Sequence, residues 1–120
     1  MPHITLETSS NVNLDEQLFF IELSEQLVAT GHASRLGIKC RVVSTDQFFI
    51  IDGDPKYKMV NLLFRLREGR SAEVLEQFST IGMDLMKNYF SAEIAEKTII
   101  LSTEIKELVK GRDLTFNGVR

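Results

Sequence analysis

The sequence predicts an α+β fold made of two fused β-α-β units, with a four-stranded sheet carrying two helices on one face. Three observations predict it. Apolar residues alternate in four stretches, 2–8, 37–43, 57–67 and 97–106, and a period of two marks a half-buried strand. Two longer stretches between them repeat apolar residues at helical spacing. The order strand, helix, strand then occurs twice, over about 2–52 and 57–107, joined near Asp54-Pro55. Each half is too small to bury a core alone. One domain spanning 1–120 is therefore expected, with both helices against a shared sheet.

In the first strand Ile4 and Leu6 point one way and His3, Thr5 and Glu7 the other. Ser9-Ser10-Asn11 breaks the pattern, and Asn13 with Glu16 has capping-box spacing. Leu14, Leu18, Ile21 and Val28 give the helix its stripe, widened by Leu23 and Leu27. Thr30-Gly31 ends it, glycine being suited to a left-handed C-terminal position. In the second strand Ile38, Cys40 and Val42 alternate with Lys39 and Arg41. Phe48–Ile51 reads as further extended chain before the Asp52-Gly53-Asp54-Pro55 turn.

The third strand sets Leu62, Phe64 and Leu66 against Leu63, Arg65 and Arg67. Glu68-Gly69-Arg70-Ser71 leads into the second helix, with Ser71 as N-cap. Its stripe is Val74, Phe78, Ile81, Leu85 and Phe90, supported by Leu75, Met86 and Tyr89. The last strand places Ile99, Leu101 and Ile105 on one face, and a polar tail follows at 111–120. The sheet face away from the helices is left open and half apolar, which marks an oligomer interface or a site.

Composition excludes several classes of function. A net charge of −3 without any basic tract argues against nucleic acid and anionic membrane as partners. No stretch of ~18 apolar residues could cross a membrane. One cysteine, Cys40, excludes an intrachain disulfide and fits the reducing cytoplasm. The two histidines, His3 and His32, lie outside ligand spacing. Nucleotide-binding and nucleophile-elbow motifs are absent, so neither metal nor cofactor is expected.

Two features carry chemistry. Pro2 opens the first strand, a position proline also occupies for purely structural reasons. Removal of Met1 would expose a secondary amine there. An α-amine titrates near ~8. Burial and neighbouring cations would lower that value and leave a neutral general base. The second feature is Gly69-Arg70-Ser71 at a helix start, where glycine permits close approach and unpaired N–H groups favour an anion. Arg70 adds a planar donor fork for a carboxylate. Lys39, Arg41, Arg65 and Arg67 gather by strand face, which in a net-acidic chain suits a small anionic substrate.

These elements occur in one order: Met1-Pro2-His3-Ile4-Thr5-Leu6-Glu7, Ala29-Thr30-Gly31, Gly37-Ile38-Lys39-Cys40-Arg41-Val42, Glu68-Gly69-Arg70-Ser71 and Ser102-Thr103-Glu104-Ile105-Lys106-Glu107-Leu108. That order resembles the 5-carboxymethyl-2-hydroxymuconate isomerase family of the tautomerase superfamily. Leu66 to Ser71 also resembles the opening block of 4-oxalocrotonate tautomerase. The resemblance implies a homotrimer and a cofactor-free isomerase of aromatic (homoprotocatechuate) catabolism, whose N-terminal proline moves a proton on a dienol polycarboxylate. It implies Pro2 as the base and Arg70 as a catalytic arginine. The family's strand arginine falls within Lys39-Cys40-Arg41, so Lys39 or Arg41 would bind substrate. Two other readings stay open: a related tautomerase or hydratase acting on a simpler acid, and a non-catalytic ferredoxin-like module that binds a ligand or oligomerises.

Overall fold

The computed structural model describes residues 2–120. The elements run β1 (His3–Ser9), α1 (Glu16–Ala29), β2 (Lys39–Thr45), β3 (Lys58–Arg67), α2 (Ala72–Tyr89), α3 (Ser91–Glu96) and β4 (Ile99–Leu108), with a 3-10 turn at Arg35–Gly37 before β2. The sheet order is β2-β1-β3-β4. Each helical connection joins parallel neighbours, β1 to β2 and β3 to β4. The two units meet where β1 and β3 pair antiparallel.

The core lies between sheet and helices. Ile4 and Leu6 of β1 and Val60, Leu62, Phe64 and Leu66 of β3 are almost wholly buried. Phe19, Leu23 and Leu27 of α1 and Phe78, Leu85 and Met86 of α2 close over them. Thirteen buried residues form one cluster, so neither half has a separate core. Gly82 in α2 is what lets that helix sit close. A Cβ there would lie 2.7 Å from Leu62 Cδ2 and 3.1 Å from Phe64 Cζ.

Four local expectations change. Asp15, not Asn13, caps α1, its Oδ1 accepting from the Leu18 amide at 3.1 Å. The buried row of α1 is Phe19-Leu23-Leu27, while Leu18 and Ile21 are exposed. Phe48–Ile51 is loop, because β2 ends at Thr45 on the sheet edge and, among the described residues, no strand takes up the amides beyond it. A short helix, α3, stands before β4, which starts at Ile99. The expected turn residues hold: Gly31 and Gly69 have φ of +79° and +117°, and Ser71 Oγ accepts from the Val74 amide.

Candidate active site at the amino-terminal end of the sheet

The register brings the residues singled out in the sequence to one end of the sheet. His3 lies opposite Lys39 on one side and Arg65 on the other. Thr5 lies opposite Arg41 and Leu63. Residues facing each other across a ladder share a sheet face. His3, Lys39, Arg41 and Arg65 therefore all belong to the open face, at the end where β1 begins.

Pro2 directly precedes this ladder. It is buried, and its carbonyl accepts from the Lys39 amide at 3.2 Å, which fixes the start of β1 against the start of β2. Loss of Met1 concerns a residue outside those described. Lys39 Nζ donates to the Gly37 carbonyl at 3.0 Å. Arg41 is exposed and reaches across to Nδ1 of His3 at 3.5 Å.

Arg70 arrives from the other unit. It lies three residues beyond the end of β3, and that end lies beside the start of β1. Its Nε and Nη2 donate to the His32 carbonyl at 3.3 and 3.2 Å, and Nη1 donates to the Arg67 carbonyl at 3.1 Å. The guanidinium also lies 5.9 Å from the Phe78 ring centroid. A guanidinium has five N–H donors, so these three bonds hold the plane still and leave two for a ligand. The structure thus joins Pro2 and Lys39 through backbone and sets Arg41 with His3 on the open face. Arg70 it ties to the loop after α1.

The sequence put His3 outside ligand spacing and gave it no role, and the structure places it among the cations Lys39, Arg41 and Arg65. Burial holds its imidazole below the ordinary value of 6.5, and Lys39, Arg41 and Arg65 lower it further, against a small opposing effect of Asp113. The Cys40 thiol is pushed up, mainly by burial, and is no nucleophile at neutral pH.

An apolar cavity lies elsewhere. About 530 Å³ opens at the far end of the same face, among Val43, Phe49, Ile51, Met59 and Ile100. Its polar edge carries Glu7 and Asn61, and Asn61 Nδ2 donates to Glu7 at 2.8 Å and, outside the lining, to Glu104 at 3.1 Å. Carboxylates repel an anion, so of the two ends of this face the His3 end is the one whose charge favours an anion. Among the described residues no group of three or more His, Cys, Asp or Glu could hold a metal ion.

Residues 2–120 match the profile of the family described as 5-carboxymethyl-2-hydroxymuconate isomerase. The chain belongs to that family. It is 33% identical over 121 residues to the 5-carboxymethyl-2-hydroxymuconate Delta-isomerase of Escherichia coli, covering 99% of this chain and 96% of that protein. A 5-carboxymethyl-2-hydroxymuconate isomerase from Deinococcus radiodurans R1 superposes with a TM-score of 0.91 at 26% identity, over 98% of this chain and 90% of that one. A fused 4-OT solved as a symmetric trimer shares the fold, with a TM-score of 0.71 at 12% identity over 97% and 92% of the two chains. The family member described here is an isomerase with the tautomerase-superfamily fold. None of its helices is long and apolar enough, among the described residues, to cross a membrane.

Proposed function

We propose that this chain ketonises an unsaturated 2-hydroxy polycarboxylate, of the 5-carboxymethyl-2-hydroxymuconate type, with the nitrogen of Pro2 as proton carrier. The observation that carries the reading is positional. The family match begins at Pro2, and Pro2 leads into the end of the sheet where His3, Lys39, Arg41 and Arg65 assemble.

The chemistry balances on one base. The neutral proline nitrogen takes the proton of the substrate's enol hydroxyl. The electron pair left on oxygen forms the carbonyl, and the double bonds shift along the chain. The distal carbon then takes the proton back from the prolinium, and the base is restored. A carrier serving both steps works best with a pKa near the working pH. A neighbourhood of cations pushes an amine in that direction. Arg70, held flat by its carbonyl bonds, and Lys39 or Arg41 bind the carboxylates and stabilise charge on the dienolate oxygen. No cofactor takes part in the proposed route.

The protein is proposed to act as a homotrimer in the cytoplasm. Support for the trimer comes from the trimeric structures that share this fold and from the apolar half of the open sheet face. The test is a spectrophotometric assay across enols that differ in carboxylate number. The polycarboxylate dienol is expected to give the highest kcat/KM. Preference for a monocarboxylate such as phenylpyruvate enol would overturn the assignment.

A further inference from the structure

Arg70 belongs to the second β-α-β unit, but the first unit supplies the oxygen that holds it. Its Nε and Nη2 both donate to the carbonyl of His32, at 3.3 and 3.2 Å. Two bonds to one oxygen fix the guanidinium's rotation within its own plane, and the bond from Nη1 to the Arg67 carbonyl adds a third point. One N–H on each terminal nitrogen is left over. Where that pair points is therefore set by where the His32 carbonyl stands. Bonds of 3.2 and 3.3 Å lie at the long end of the N–H···O range, so a small movement of that oxygen breaks them.

His32 is exposed, so burial does not hold it. Thr30 does. The Thr30 hydroxyl donates to the Leu27 carbonyl at 2.6 Å, in the last turn of α1. The same oxygen accepts from the His32 amide at 3.1 Å. Between the two residues Gly31 turns the chain at φ +79°, a conformation open to glycine at no steric cost. A side-chain oxygen that closes a turn onto the amide two residues ahead clamps the local backbone. Ala33 follows and packs against the core, which makes it the competing anchor for the same carbonyl.

We propose that Thr30 is a positioning residue for Arg70: its hydroxyl ties His32 to the end of α1, and the His32 carbonyl so placed aims the two free N–H groups of Arg70 at a ligand. Thr30 itself touches no substrate. The proposal rests on the reading of Arg70 as a carboxylate-binding arginine only where it predicts a rate.

The test compares Thr30→Val and Thr30→Ser in the whole protein. Valine keeps the branched shape and removes the hydroxyl; serine keeps the hydroxyl and removes the methyl. The first readout is the NMR signal of the Arg70 Nε–H, assigned by its loss in Arg70→Ala and recorded without substrate. Thr30→Val should shift this signal and speed its exchange with water about threefold to tenfold, as loss of one hydrogen bond does. Thr30→Ser should leave it in place. The second readout is kcat/KM for ketonisation of the 5-carboxymethyl-2-hydroxymuconate dienol. Thr30→Val should lower it about threefold to tenfold, and Thr30→Ser should restore it. In an Arg70→Ala background Thr30→Val should change it less than about twofold, because residues joined in one hydrogen-bond chain do not act additively.

An unmoved Nε–H signal in Thr30→Val would overturn the proposal and leave Ala33 as the anchor. A loss of rate undiminished in the Arg70→Ala background would overturn it too, since Thr30 would then act on the fold at large. The unaltered protein gives an independent check. The amide of exposed His32 should exchange about tenfold more slowly than a free amide, and free exchange would overturn the clamp even if Thr30→Val failed to fold. A moved Nε–H signal together with full activity of Arg70→Ala would support the clamp and sink only the carboxylate-binding reading of Arg70.

Discussion

Arg41 approaches Nδ1 of His3 to 3.5 Å, and a guanidinium can only donate. The ring nitrogen is therefore the acceptor, and the imidazole is neutral in this arrangement. The folded-state pKa lies below the ordinary value of 6.5, so the unfolded chain binds the proton first as pH falls. Stability from this site is complete above the unfolded value and declines as pH drops through it. The groups facing the ring are Lys39, Arg41, Arg65 and Asp113. Melting temperature should fall on acidification through about 6.5, and His3→Gln should flatten that slope. A slope unchanged by the substitution would contradict the neutral assignment. At this scale the sequence showed which residue types were present and not what each touched. The Arg70 fork was legible, but its carbonyl partner at His32 lies 38 positions away, beyond any local pattern.

The helices show why an apolar pattern locates an element better than its phase. α1 carries apolar residues on several sides, and Leu18 and Ile21 compete with Phe19, Leu23 and Leu27 for the inward row. Only the sheet beneath decides between them. The caps divide in the same way. Ser71 was readable because one good cap stood before one helix. Asn13 and Asp15 both suit the α1 start, and the Oδ1 contact with Leu18 selects Asp15. Asp15→Ala should cost about 1 kcal/mol in urea unfolding and Asn13→Ala close to nothing. The reverse order would put the cap back at Asn13. α3, with six residues and no side-chain cap, is too short to show a period. Gly82 has no pattern to announce it at all. Gly82→Ala should gain about 1 kcal/mol of helix propensity. It should lose about 1–3 to overpacking, because Leu62 and Phe64 are fully buried and have nowhere to go. A net loss of stability is the expected outcome, and a raised urea midpoint would show that the core yields there.

The doubled β-α-β plan was legible because each half repeats the same order of periods, and the β2-β1-β3-β4 sheet realises it. What the open face meets was not legible, since a period of two marks a strand and not what lies against its second side. That face divides into a cationic end at His3 and an apolar end at Met59 and Ile100, with Asn61 and its two glutamates between. Ile100 is 50% exposed and lies outside the core cluster. Under the proposed trimer, the protein should run in solution at about three times the 13.7 kDa chain mass. Ile100→Glu should bring it down to one chain, with its helix content kept. A mass unaffected by the charge would remove the apolar end from the interface.

The proline nitrogen is the claim on which the rest of the chemistry depends. It is tested most directly by measuring 5-carboxymethyl-2-hydroxymuconate ketonisation with protein whose first residue has been established by intact mass. Protein beginning at Pro2 should turn over, Pro2→Ala should lose about 10²-fold or more in kcat, and Lys87→Ala on the exposed side of α2 should match the unaltered enzyme. Equal rates from protein that retains Met1, or from Pro2→Ala, would contradict it.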